Sequence, residues 1–404
     1  MKKYVMFAIV FCIISLWMID YNLNKTKERM NKEEDTQTVV SNVGEERYMF
    51  LSYIDYSKLL KNKKKEEKMK NIDEMVSNVH HAAFTTILLQ VRPFSDSLYF
   101  SSYYPTSSTV VKKEGDTLDL DILEYFIKKA HAFNMKLYAW VNPYRVRNVS
   151  DVSTISKDSP FYKWINTRHM EVIDKKGIFL NPSSKEVNKL ILNGIDELSR
   201  NYDIDGLIYD DYFYPNDEID YLDYKEYINK GGEKKLKDYH LEVVNTLIKN
   251  TYATIKKNNK KIVFGVSPDG NIKNNYNAHY ADVKTWCSKK GYIDFIMPQV
   301  YYGFLHSVVP FSDTILNWDN LIKNDIDLIP ALSLYKAGDK DLYAGSGEKE
   351  WQENYDIIKR QIIYSRSLSH YKGFALYRYD YFFNNLNYNE NVMKEVENVK
   401  EITK

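Results

Sequence analysis

Residues 205–215 read DGLIYDDYFYP. An apolar run, Gly206 to Tyr209, ends in two adjacent carboxylates, Asp210 and Asp211, crowded by Tyr212, Phe213 and Tyr214. A strand cannot carry an unpaired charge pair into a core, because a buried carboxylate without partners is costly. The run must stop at water, or at a cleft where the carboxylates have chemistry to do. Side chains alternate along a strand, so both acids point inward only if the backbone turns between them. Gly206, Ile208 and Asp210 suit a tight interior better than Leu207, Tyr209 and Asp211, which makes Asp210 the inward-facing acid.

The same pattern recurs outward from this stretch. From Arg47 on, short apolar runs lead into polar or aromatic loops and then into segments of helical period. The runs are RYMFLSYID (47–55), FTTILLQVRP (84–93), KLYAWVNPYR (136–145), the opening stretch, KIVFGVSPDG (261–270), DFIMPQVYYG (294–303), DLIPALSLYKAG (327–338) and KGFALYRYD (372–380), eight in all. Between them, 184–200 places Val187, Leu190, Ile191, Ile195 and Leu198 on one face, and 234–259 does the same with Leu236, Val243, Val244, Leu247, Ile248 and Ile255. Segment 119–134 carries Asp119 as an expected N-cap ahead of Ile122, Leu123, Phe126 and Ile127. Buried strands alternating with helices predict a parallel sheet, and eight such units predict an α/β fold of the (β/α)8 TIM-barrel type over residues 47–404. No glycine-rich phosphate loop follows the first strand, which weighs against a doubly wound dinucleotide fold. Enlarged loops follow several strands. The one from Val146 to Pro182 contains MEVIDKKGIFL, which reads as a hairpin turning at Lys175–Gly177.

Ahead of the barrel, MKKYVMFAIVFCIISLWMID (1–20) sets two lysines before an apolar run. It reads as an uncleaved signal anchor that spans the membrane and leaves the remainder outside the cell, with a cleaved secretory signal as the alternative. Residues 21–46 are polar, without apolar period, and read as a linker. With 56 basic and 55 acidic residues the chain has no electrostatic case for nucleic acid. The 2 cysteines exclude a disulfide scaffold, and the 8 histidines offer no metal-ligand spacing, so neither metal nor cofactor is expected.

Chemistry in such a barrel sits beyond the strand ends. Those positions hold Gln90, Arg92 and Asp96; Asn142, Tyr144 and Arg145; Asp210 and Asp211 with Tyr212 and Tyr214; Gln299 and Tyr301; and Lys336. Asp55, Ser267, Asp269, Tyr302, Tyr335, Arg378 and Asp380 occupy similar places, while Trp140 reads as core. Carboxylates among amides and aromatic rings are the tools of carbohydrate chemistry: hydroxyls take polar contacts, sugar faces lie on rings, and glycosidic cleavage needs a general acid and a second carboxylate. Asp210, Asp211 and Asp96 are the expected catalytic acids; the others named above with them are expected to hold a glycan.

Several ordered motifs resemble the glycosyl hydrolase-like 10 family of bacterial envelope proteins: LLQVRPFSDSLYFSSYYP, LYAWVNPYR, FLNPSSKEV, YDIDGLIYDDYFYP, FGVSPDGN, YADVKTWC and PQVYY. The resemblance implies a TIM barrel and hydrolysis of glycosidic bonds in cell-wall or other amino-sugar glycans. It places Asp210 and Asp211 in the paired-acid motif. Two positions depart from it: Ser95 stands where glycine is usual, and Asp269 where a bulkier residue is expected. The adjacent acids fit either a nucleophilic carboxylate or an acetamido-assisted mechanism. The expectation is a membrane-tethered extracellular glycosidase; the alternatives are a glycan-binding barrel without turnover and a lytic transglycosylase-type enzyme.

Overall fold

The computed structural model describes residues 44–403. The apolar segment read as an anchor and nearly all of the linker lie outside the described residues. Among the described residues no helix is long and apolar enough to cross a membrane.

Twelve strands are formed among the described residues. In chain order they are β1 (Glu46–Leu51), β2 (Thr86–Arg92), β3 (Lys136–Val141), β4 (Arg145–Arg147), β5 (Met170–Ile173) and β6 (Gly177–Leu180). Then follow β7 (Gly206–Tyr209), β8 (Val263–Val266), β9 (Phe295–Ile296), β10 (Asp327–Leu328), β11 (Ala331–Ser333) and β12 (Gly373–Tyr377). Nine of them make one curled sheet in the order β10-β9-β8-β7-β3-β2-β1-β12-β11, every ladder parallel. All eight apolar runs contribute to it. The ninth strand arises because the seventh run is divided at Ile329 and Pro330, since proline brings no amide hydrogen to a ladder. Its first half bonds to β9 and its second to β12, and bridges from Ala331 to Gln299 and from Leu328 to Tyr371 tie each half to the other neighbour as well.

Alternation sorts the side chains into two cores. Tyr48, Phe50, Leu88, Tyr138, Trp140, Ile208, Phe295, Met297 and Ala375 pack inside the curl. Their neighbours in sequence, such as Met49, Leu89, Ala139 and Leu207, face the helices. Glycines make room for the inner rings: a Cβ at Gly206 would lie 2.7 Å from the Tyr138 ring, and one at Gly265 2.4 Å from Phe295.

The helices follow the expected faces. Lys185–Asn201 buries Val187, Ile191, Ile195 and Leu198, with Ser184 Oγ capping Val187 N. Leu236–Asn258 buries Val244, Leu247, Ile248 and Ile255, whereas Leu236 and Val243, expected on the same face, are half-buried. The third helix starts later than Asp119 suggests. It spans Ile122–Ala132, and Asp121 is the cap, accepting from Glu124 N at 2.9 Å, while Asp119 pairs with Lys68 at 2.6 Å. The expected hairpin forms from β5 and β6, and β4 joins it to make a small antiparallel sheet over the third loop.

Candidate active site

β7 ends at Tyr209, and Ser267 N reaches its carbonyl at 2.7 Å. The backbone then turns, with Phe213 N bonding to Asp211 O at 3.0 Å. That turn breaks the strand alternation and brings both Asp210 and Asp211 onto the wall of one cavity of about 430 Å³. Phe50, Trp140 and Ile208 form its apolar floor. Tyr53, Tyr212, Tyr301, Tyr335, Tyr377 and Tyr381 stand around it, with Ser52, Gln90, Ser267 and Gln299 as neutral polar groups and Arg145 and Arg378 as cations.

Asp210 is buried. Its Oδ2 accepts from Trp140 Nε1 and from Asn142 Nδ2, both at 3.1 Å, while Oδ1 accepts no hydrogen bond from the chain. Burial, reinforced by the neighbouring Asp211 charge, pushes its carboxyl up to about 7 against the pull of Arg145 and the indole bond. Asp211 is half-buried and also raised, first by burial, with the positive charge of His279 opposing. The arrangement is a pair of neighbouring carboxyls, both raised by burial, with the deeper one pushed up to about 7.

The cations are held differently. Arg378 pairs with buried Asp55, which also accepts from Ser52 N at 2.8 Å, Ser52 Oγ at 2.6 Å and Asp380 N at 3.0 Å. Arg145 lies between rings, 4.9 Å from Phe94 and 4.6 Å from Tyr212, its backbone N fixed by Asn142 Oδ1 at 3.1 Å. Gln90 Oε1 accepts from Tyr53 N at 3.1 Å, and Gln299 Nε2 donates to Ser267 O at 2.9 Å.

Of the expected residues, Asp210, Asp211, Gln90, Arg145, Tyr212, Gln299 and Tyr301 line the cavity, and Asn142 touches Asp210. Five others are elsewhere. Arg92 has the sequence parity of Gln90, yet the β2–β3 register shifts between Gln90 and Arg92, so Arg92 stands opposite outward-facing Val141. This bulge sends the guanidinium into the helix layer, 4.2 Å over Tyr104, where Gly194 makes room for it. Asp96 is buried beneath the second loop, bonded to Phe94 N at 3.1 Å and pushed up to about 6 by burial. Tyr144 is buried with its hydroxyl on Asn188 Oδ1 at 3.0 Å, and Tyr214 donates to buried Asp220 at 2.8 Å. Lys336 turns to Asp341 at 2.7 Å.

Trp140 is the reverse case: read as core, it lines the cavity and donates to Asp210. Tyr53, Tyr377 and Tyr381 were not singled out. Tyr377 could have been found by its alternation with inward-facing Ala375. Tyr53 and Tyr381 belong to helical turns just past the strands, where the period of two no longer applies. Among the described residues no group of three or more His, Cys, Asp or Glu is placed to hold a metal ion.

A curled parallel sheet with helices outside it and a cavity at its strand ends is the frame of the TIM-barrel class. Solved structures agree on the fold. The glycoside hydrolase domain of PgaB (BpsB) from Bordetella bronchiseptica superimposes with a TM-score of 0.51 at 12% identity, covering 89% of this chain and 98% of that one. Alpha-L-fucosidase isoenzyme 2 from Paenibacillus thiaminolyticus gives 0.54 at 12% identity, over 88% of this chain and 49% of that one. The chain belongs to the glycosyl hydrolase-like 10 family, which it matches over residues 45–340. It is similar to glycosyl hydrolase YngK of Bacillus subtilis, 28% identical over 333 residues, 76% of this chain and 62% of that protein, so less than two thirds of the relative's length is spanned. It is also similar to glycosyl hydrolase DigH of Escherichia coli K12, 26% identical over 76% of this chain and 75% of that protein.

Proposed function

We propose that this chain hydrolyses glycosidic bonds in an amino-sugar glycan of the bacterial wall type, with Asp210 as general acid and Asp211 as the ionised partner. The observation that carries this reading is the pair itself: a buried carboxyl held near neutrality beside a second, more accessible one in a single aromatic cavity. Asp210 would give its proton to the departing glycosidic oxygen while the Asp211 carboxylate faces the positive charge that grows at the anomeric carbon. The tyrosine rings would carry the sugar faces, and Gln90, Gln299 and Arg145 their polar substituents. The family and the names of the relatives support hydrolysis. Anchorage through residues 1–20, with the barrel outside the cell, completes the proposal and rests on the sequence pattern alone.

One observation favours a second reading. The only carboxylates among the cavity-lining residues are adjacent in sequence, with none contributed from the opposite wall. That suits acetamido-assisted cleavage, and equally a cleft that binds glycan without turning it over.

Incubating the protein with amino-sugar oligosaccharides in ¹⁸O-water and weighing the products separates these outcomes. Hydrolysis adds one labelled water per cleavage, an anhydro or transfer product adds none, and a binder yields no product. Loss of labelled product in Asp210→Asn, with the fold retained, is expected; full activity in that variant would remove Asp210 from the mechanism.

A further inference from the structure

Asp269, just past the end of β8, has a cationic partner. His279 Nε2 stands 3.6 Å from Asp269 Oδ2. The other Asp269 oxygen is fixed by Tyr302 Oη at 3.0 Å and by Asn271 N at 2.6 Å, so the carboxylate cannot swing away. Asp269 is also bridged to Gln299, a cavity-lining residue, across the strand ends.

The chain at His279 is forced into place. The next residue, Tyr280, has φ of 54°, the left-handed region that an aromatic residue rarely adopts. Packing holds it there: its ring lies 4.5 Å from His240 and 5.2 Å from Tyr214, and its hydroxyl donates to Asp217 at 2.6 Å. His279 N meanwhile bonds to Asn274 O at 3.2 Å. The imidazole is thereby held at Asp269, which leaves the end of β8 as Asp211 leaves the end of its register neighbour β7, and its positive form favours the ionised state of each carboxyl.

We propose that His279, held by Asp269, is a positioning charge for the acid pair: it keeps Asp211 a carboxylate and so leaves the pair's proton on Asp210. The inference rests on the hydrolase reading for its catalytic meaning, but the charge relationship can be measured without turnover. The groups acting on Asp211 are His279, Asp269 and Gln299, with Asp210, Tyr212 and Tyr301 feeling its charge in return. Hydrogen bonds to Asp269 hold that carboxyl below the usual range although burial opposes them, and Asp269 in turn holds the imidazole above its ordinary value.

The test uses the full chain labelled at aspartate carboxyl carbons, with Asp211 assigned by the signal lost in Asp211→Asn. In His279→Gln the Asp211 titration midpoint moves to higher pH, and in His279→Lys, which restores a fixed positive charge, it returns toward the parent. Activity follows the same order: the acidic limb of the pH–rate profile moves up in His279→Gln, with an about 3- to 10-fold loss at pH 5, and recovers in His279→Lys. An unmoved midpoint in a folded His279→Gln protein overturns the proposal, as does a shift that His279→Lys fails to reverse. A full chain that cleaves no glycan sinks the hydrolase reading, while the carboxyl signals still report whether His279 governs Asp211.

Discussion

The Trp140 indole nitrogen donates to Asp210 Oδ2 at 3.1 Å, reaching across the β3–β7 ladder one pleat beyond its register partner Ile208. This bond favours the ionised carboxylate, so Trp140 and burial pull Asp210 in opposite directions, and burial wins. The carboxyl loses its proton at about 7, and the acid-catalysed rate should fall as pH rises through that value. Trp140→Phe removes the donor and keeps an aromatic floor. The basic limb of the pH–rate profile should then move to higher pH, with a roughly 10-fold lower maximum from the loosened carboxyl. A profile superimposable on that of the parent would show that the indole bond does not tune the acid.

Asp210 also sets a stability trend whose sign follows from the same shift. Its folded-state value is raised, so between the ordinary carboxylate range and about 7 the native state binds more protons than the unfolded chain. The contribution is full below that window and is lost as pH rises through it. Asp210→Asn cannot ionise, and its amide oxygen can still accept from Trp140 and Asn142. The variant should be more stable than the parent at pH 8, on the order of 2–4 kcal/mol, and close to it at pH 4. Denaturant titration at the two pH values reads this directly.

The Asp55–Arg378 pair is buried at the cavity edge, with Asp55 also fastening Ser52 and the backbone of Asp380. Removing one partner leaves the other charge stranded in low dielectric. Asp55→Ala should cost about 3–5 kcal/mol in urea unfolding and should weaken glycan binding, since the cavity-lining Ser52 and Arg378 lose their anchor. Asp55→Asn should lose less, because it keeps an acceptor for Ser52 N.

Gly206 tests the packing inside the curl. A methyl group there would meet the Tyr138 ring at 2.7 Å, and Tyr138 is itself wedged against Tyr48 and Phe295. Gly206→Ala should destabilise the domain by about 1–3 kcal/mol, and Tyr138→Leu in the same chain should recover part of that loss. Additive losses in the double variant would mean that the two positions do not share one space.

The alternation of Gly206, Ile208 and Asp210 was legible because β7 is regular to its last residue. The paired acids, the eight runs and the helix faces were readable for the same reason. Arg92 was not, because a bulge of one residue reverses every side chain after it, and nothing in LLQVRP marks where the extra residue falls. Tyr144 and Lys336 sit past their strands, where a turn decides direction, and each found an internal partner in Asn188 or Asp341. Ser95 and Asp269, expected to differ from the family pattern, each have a defined local role. Ser95 has φ of 54°, a left-handed backbone that glycine adopts freely, and its hydroxyl reaches Arg145 O at 3.2 Å. Asp269 holds His279 beside the acid pair.

The division at Ile329 and Pro330 has a mechanical consequence. β9 and β10 are each only two residues long, whereas β1, β2 and β3 run for six or seven. The wall carrying Gln299 and Tyr301, which follow β9, therefore hangs from one of the shortest strands, and the wall carrying Gln90 and Trp140 from the longest. Amide exchange should reach the short side first, leaving the cleft with one yielding jaw and one firm one.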